Sequence, residues 1–180
     1  MFIWVGIDVD SQLSEIKESA KAVENELIFK HSNFTLPFHI SLKISFEVTD
    51  DMFENVIKDV LEVYNQTEPF EIKTKAISCE NNIAWIRMEE NPILMDLSKN
   101  INSLMLTKYN IPLHEYDTDY KFHTTLFMDD DCEKVKQAYM KIQHMKIPKH
   151  LMAERFLIGI SATGKLGTYR VYKTITKPYL

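Results

Sequence analysis

Two cysteines, Cys79 and Cys132, are all that the 180-residue chain carries. They lack CxxC spacing, which argues against a zinc site or a redox motif and leaves two ordinary thiols of a reducing compartment. No apolar run approaches the roughly 18 residues of a membrane-spanning helix, so no membrane association is expected. The opening MFIWVGIDVD has no basic leader, so no secretion signal is expected and the cytoplasm is the default. A surplus of positive charge is also missing: 21 Lys and Arg stand against 26 Asp and Glu, a formal net charge of -5. Grip on a long nucleic-acid backbone usually needs a basic stripe, so long nucleic acid is not an expected partner. A small nucleotide or an RNA terminus held in a local pocket remains compatible. What is present is 45% hydrophobic and 26% charged residues, the composition of a folded protein. A chain of this length supplies one domain over 1–180 with a sizeable core, built as two intimately packed lobes. Its oligomeric state is not legible.

The order of elements is partly duplicated. MFIWVGIDV reads as a strand, and Ser11 is placed to cap a helix carrying Leu13, Ile16, Ala20 and Val23 at helical spacing. After the connection FKHSNFTLP, residues 38–48 alternate as a strand. Asp50 or Asp51 opens a helix with Phe53, Val56, Ile57, Val60, Leu61 and Tyr64 on one stripe. Two strands follow, 70–78 and 83–88, joined by CENN. The strand IAWIRM then precedes a helix from near Pro92, with Leu94, Leu97, Ile101, Leu104 and Met105 as its apolar face. A loop with Pro112 leads to the strand FHTTLF. Asp130 or Asp131 caps a further helix bearing Val135, Ala138, Tyr139 and Ile142. Strands 156–161 and 169–176 close the chain around ATGKLG, where Gly164 or Gly167 suits a positive φ. The expected architecture is α+β and bilobal: pseudo-symmetric duplicated lobes, antiparallel-rich four-stranded sheets, helices on outer faces and a central cleft. Which strand edges meet does not follow from sequence.

Within this duplication two strands match in an unusual way. FHISLK carries His39 and Ser41; FHTTLF carries His123 and Thr125; each pair of equivalents lies 84 residues apart. Side chains alternate faces along a strand, so Phe38, Ile40, Leu42, Ile44 and Phe46 share a core face and His39, Ser41, Lys43 and Ser45 share the other. In the second strand Phe122, Thr124, Leu126 and Met128 share one face, and Lys121, His123, Thr125 and Phe127 the other. A lone His on a polar strand face is usually solvated or tied to a carbonyl. Two copies at matched places have no evident purpose in folding. If the lobes face each other, two imidazoles and two hydroxyls converge. In-line hydrolysis of a phosphodiester uses such a set: one imidazole as base at the water, one as acid at the leaving oxygen, and hydroxyls on the non-bridging oxygens. No metal or cofactor is called for. Spacing does not say which His is the acid.

Paired HxS and HxT motifs, each flanked by apolar residues, resemble the signature of the 2H phosphoesterase superfamily, which includes the proteins called 2′-5′ RNA ligases. Here they stand as His39-Ile40-Ser41-Leu42 and His123-Thr124-Thr125-Leu126. The opening FIWVGIDVD and the closing FLIGISATGKLGTYRVYKTI are similar to that family's first strand and terminal hairpin, so the likeness runs over almost the whole chain. The resemblance implies a bilobal fold with a central cleft, and phosphodiesterase chemistry on 2′,3′-cyclic phosphates or 2′-5′ linked nucleotides. It implies His39 as proton donor, His123 as proton acceptor, and Ser41 and Thr125 as phosphate-binding hydroxyls. Ser41 replaces the commoner Thr, keeping the hydroxyl without the β-branch.

Further cleft candidates are Lys43, Arg170, Lys165 and Lys173 as cations, and Trp4, Tyr120, Phe127 and Tyr169 as base-stacking rings, each also explicable by packing or solvation. His31, His114, His144 and His150 show no comparable pairing. Asp129-Asp130-Asp131 lacks the spacing of a calcium loop and reads as helix capping. Three alternatives to hydrolysis stay open: RNA end ligation, a non-catalytic nucleotide- or RNA-binding module, and zinc held between the two His residues.

Overall fold

The computed structural model describes residues 1–118 and 120–177. In chain order the elements are β1 (Phe2–Asp8), α1 (Ser14–Leu27), β2 (His39–Glu47), α2 (Asp50–Gln66), β3 (Phe70–Glu80), β4 (Ile83–Met88), α3 (Pro92–Tyr109), β5 (His123–Met128), α4 (Cys132–Ile142), β6 (His150–Ala153), β7 (Arg155–Ser161) and β8 (Arg170–Thr176). Short 3₁₀ turns at Asp10–Leu13 and Glu115–Asp117 complete them. The strands form two antiparallel sheets, ordered β2-β1-β7-β8 and β5-β4-β3-β6. The closing strands β7 and β8 therefore return to the first sheet, and the halves of the sequence interleave.

The helices interleave as well. α2 and α3 pack together beside the first sheet, where α3 lies on β2; α1 and α4 pack together beside the second, against β5. Each sheet thus buries its apolar face under helices from both halves. Of the stripes read from sequence, Ile16, Ala20 and Val23 on α1, Val56, Ile57, Val60 and Tyr64 on α2, Leu94, Leu97, Ile101 and Met105 on α3, and Val135, Ala138 and Ile142 on α4 are buried, while Phe53, Leu61, Leu104 and Tyr139 are partly buried against them. Under the first sheet they meet Ile3, Val5 and Ile7, alternate residues of β1 with no exposed area.

Local chemistry sets most boundaries. Asn91 caps α3, its side chain accepting from the Leu94 N–H at 3.1 Å, with Pro92 at the first helical position. Asp131 caps α4 by accepting from the N–H groups of Glu133 and Lys134. Ser11 does not cap α1: it lies inside the 3₁₀ turn, and α1 starts at Ser14 with no side-chain cap. The β3–β4 turn is tighter than CENN, since β3 runs through Glu80 and Asn81 takes a φ of 51°. β6 has no counterpart in the sequence reading, being four residues between Pro148 and Glu154. Gly164 and Gly167 both have positive φ, at 69° and 79°.

A β-bulge follows each His motif. On β2, Ser41 lies opposite Gly6 but Lys43 lies opposite Val5, so Leu42 is the extra residue. On β5, Thr125 lies opposite Trp85 but Phe127 lies opposite Ala84, so Leu126 is the extra residue. An extra residue resets the alternation of faces. Lys43 and Phe127, expected beside the His residues, are instead turned to the core side and are 2% and 0% exposed. Phe127 stacks on Phe29 with ring centroids 5.4 Å apart. The Lys43 ammonium donates to Asn102 Oδ1 at 2.9 Å and to Asp117 Oδ2 at 2.8 Å. Asp117 arrives on the connection from α3 to β5, so this buried ion pair pins that connection to the first sheet.

Candidate active site

β2 and β5, edge strands of different sheets, lie against each other. The Thr124 hydroxyl bridges them, donating to the carbonyl of His39 at 3.0 Å. This explains a Thr on the apolar face of FHTTLF: its hydroxyl ties the two motif strands together in a fully buried position.

The two imidazoles are anchored alike. His39 Nδ1 is 2.8 Å from the Pro37 carbonyl, and His123 Nδ1 is 2.6 Å from the Lys121 carbonyl. A carbonyl only accepts, so each Nδ1 carries the hydrogen and each Nε2 keeps its lone pair for proton exchange. Each ring also packs on an indole. Trp4 meets His39 edge-on at a centroid distance of 4.1 Å, and Trp85 meets His123 at 4.5 Å. Trp4 Nε1 donates to Ser41 Oγ at 3.0 Å, fixing the motif hydroxyl while its own proton stays available. The seat of Trp4 depends on a missing side chain: a Cβ at Gly159 would stand 2.4 Å from the indole. Trp85 Nε1 is buried with no hydrogen-bond partner among the described residues.

Burial governs the electrostatics. Both rings are half-buried by area. Desolvation pushes the His39 pKa down to about 4; the Pro37 carbonyl opposes this, the nearby His123 adds to it, and Asp10 opposes it. His123 is lowered too, first by burial, with the Lys121 carbonyl opposing and the charge of Arg87 adding. The influence of His123 on His39 means that the two imidazoles lie within electrostatic reach of each other. Burial pushes the Tyr120 phenol up to about 12, with the Ser41 hydroxyl beside it pulling the other way. Tyr120 also lies 5.8 Å from the His123 ring, so it stands between the two motifs.

Of the residues singled out from sequence, the fold gathers His39, His123, Ser41, Trp4 and Tyr120 here. Thr125 joins them by register, opposite Trp85. Lys43 and Phe127 lie in the core as described. Arg170 is exposed on β8, at the opposite edge of the first sheet from β2. Lys173, also on β8, lines a groove against α2, and Lys165 is exposed in the β7–β8 turn. Tyr169 bonds to Ser45 through their hydroxyls, farther along β2. Sequence reasoning missed Trp85 and Arg87. The recurrence of Trp in FIWVGID and IAWIRM was the available signal for Trp85. Among the described residues no group of three or more His, Cys, Asp or Glu is placed to hold a metal ion, and no helix is long and apolar enough to cross a membrane.

Two antiparallel sheets built from interleaved halves of the chain carry one anchored His on each of their facing edge strands, β2 and β5. The chain has the fold of the 2H phosphoesterase superfamily. It is similar over 97% of its length to Escherichia coli LigT complexed with ATP, covering 95% of that chain at 14% identity with a TM-score of 0.58. LigT complexed with 3′-AMP gives 15% identity and a TM-score of 0.58 over 97% and 96% of the two chains. A protein of Thermus thermophilus gives 13% identity and a TM-score of 0.66 over 98% and 97%. At these identities the likeness is one of fold. In sequence, 76 residues are 29% identical to a provisionally named phosphoesterase of Bacillus cytotoxicus, covering 41% of this chain and 44% of that one. A further 24% identity over 106 residues, 57% of each protein, links it to a provisionally named phosphoesterase of Bacillus mycoides. The chain thus spans about half the length of the curated relatives it matches. No family model matches the chain.

Proposed function

We propose that the protein is a metal-independent phosphodiesterase that hydrolyses a 2′,3′-cyclic phosphate, or a 2′-5′ phosphodiester, of a nucleotide or short RNA end. One observation carries the reading: two His residues, each held through Nδ1 by the carbonyl two residues before it, converge from adjacent strands with a hydroxyl two positions on. In this reading His123 Nε2 takes a proton from the attacking water. The water oxygen bonds to phosphorus as the bond to the leaving ribose oxygen breaks. His39 Nε2 gives its proton to that oxygen, so protons and charge balance. Ser41 and Thr125 donate to the non-bridging oxygens, where charge accumulates.

The depressed His39 pKa fits this cycle. Burial disfavours a cation on His39, whereas a bound phosphate would supply the opposite charge that favours one. Protonation is thereby coupled to substrate binding. The nucleotides held by LigT, ATP and 3′-AMP, support a nucleotide as the occupant. The test is incubation with nucleoside 2′,3′-cyclic phosphates and 2′-5′ linked dinucleotides in EDTA, with products separated as 2′- and 3′-monophosphates. Turnover of either class in EDTA is expected. No turnover of both, or turnover only after metal is restored, contradicts the reading.

A further inference from the structure

We infer that Arg87 is the phosphate-gripping cation of this cleft, its guanidinium holding a non-bridging oxygen of the phosphate on which His123 acts. The inference rests on the phosphoester reading above and names a residue that neither motif contains. Arg87 lies directly opposite His123 in the β4–β5 ladder, and Trp85 lies opposite Thr125. Residues directly opposed in an antiparallel pair share a face and lie within side-chain reach. The ring contact between Trp85 and His123 places that face beside the candidate base. Arg87 therefore shares it with His123, Thr125 and Trp85.

The surroundings of Arg87 leave its charge available. It is half-buried, and among the described residues no carboxylate is within ion-pair distance of it and no hydrogen bond engages its guanidinium. Of the other cations near the two motif strands, Lys43 is paired with Asp117, Lys17 with Asp10 and Arg155 with Asp8 at 3.1 Å, while Lys121 is exposed to solvent. A partly desolvated guanidinium without a counter-ion, in a chain of net charge -5, calls for an anion supplied from outside. Its planar fork of donors matches two phosphate oxygens at once. The lobes differ at this point. The residue opposite His39 is Asp8, whose carboxylate is turned to Arg155 and to the Asp10 N–H. In the ladders, a cation stands opposite His123 and an acid opposite His39. Its charge also opposes protonation of His123, which keeps that ring a base.

The experiment pairs binding with turnover. Inorganic phosphate is titrated into the parent protein, Arg87→Met and Arg87→Lys, and the ring signals of His123 are followed by NMR. Turnover of a nucleoside 2′,3′-cyclic phosphate is measured beside it. Saturable shifts are expected in the parent. In Arg87→Met, phosphate binding weakens at least about tenfold, as for a lost hydrogen bond between charged groups. Its kcat/KM falls by roughly 10² to 10³, and the His123 ring titrates at higher pH. Arg87→Lys, which keeps the charge and loses the fork, falls between, and shows that a loss in Arg87→Met is not misfolding. Unchanged phosphate binding and turnover in Arg87→Met, or no phosphate binding by the parent, overturns the inference. If the parent turns over cyclic phosphates and Arg87→Met equals it, only Arg87 is misassigned. If phosphate binding depends on Arg87 while no phosphoester is cleaved, the anion site stands and the proposed reaction falls.

Discussion

At His39 a single ring carries both the proposed acid role and a cost to stability. Its pKa is near 4 in the fold against 6.5 for a free imidazole. As pH falls below 6.5 the unfolded chain takes up this proton and the folded chain does not until about 4. Protons therefore favour unfolding across that window, and stability falls as pH falls from 6.5 to 4. Urea midpoints measured through that range should decline in the parent and decline less in His39→Gln; equal slopes would exclude the buried neutral imidazole. A second prediction concerns the seat of Trp4. Gly159→Ala places a methyl against the indole, shifting the group that holds Ser41 and packs on His39. Displacements of about 1 Å in a reacting site cost up to ~10² in rate. The expected result is a loss of kcat approaching that size in a chain that still folds by circular dichroism; parental kcat would deny Trp4 its positioning role.

At the scale of elements, the bulges after the two motifs decide what faces the cleft. They put a lysine where two facing elements can satisfy it only by contributing Asn102 and Asp117. Removing one partner of a buried pair leaves the other uncompensated, at a cost of about 3–5 kcal/mol. Lys43→Met should lose that much in denaturant unfolding, and adding Asp117→Asn should recover part of it; a loss below about 1 kcal/mol, the range of exposed pairs, would mean the pair is solvated. The same bulges mark where the sequence stops being readable. Strict alternation carries His39 and Ser41 to the correct face but also predicts Lys43 and Phe127 there. No Gly or Pro flags Leu42 or Leu126 as the extra residue, because the bulge arises from pairing with β1 and β4. Helix stripes were legible because each is local and apolar at period 3.6. β6 was not, since four residues carry no period and gain their hydrogen bonds from β3.

At the scale of the molecule, duplication made the site legible and interleaving hid how the site is held. The 84-residue spacing of the two motifs is a one-dimensional trace of lobes that face each other. That β7 and β8 return to the first sheet, or that α1 packs with α4, depends on contacts between distant segments. Arg87 escaped notice for the same reason, since only the β4–β5 register sets it beside His123. The proposed reaction uses the two imidazoles together, and groups that act as a unit lose activity non-additively. The most direct test is the kcat of the parent, His39→Ala, His123→Ala and the double variant on a nucleoside 2′,3′-cyclic phosphate in EDTA. Each single variant should lose ~10² or more, the contribution of one positioned proton-transfer group, and the double variant should lose little beyond the worse single one. Single variants that keep parental turnover would contradict paired-histidine catalysis outright.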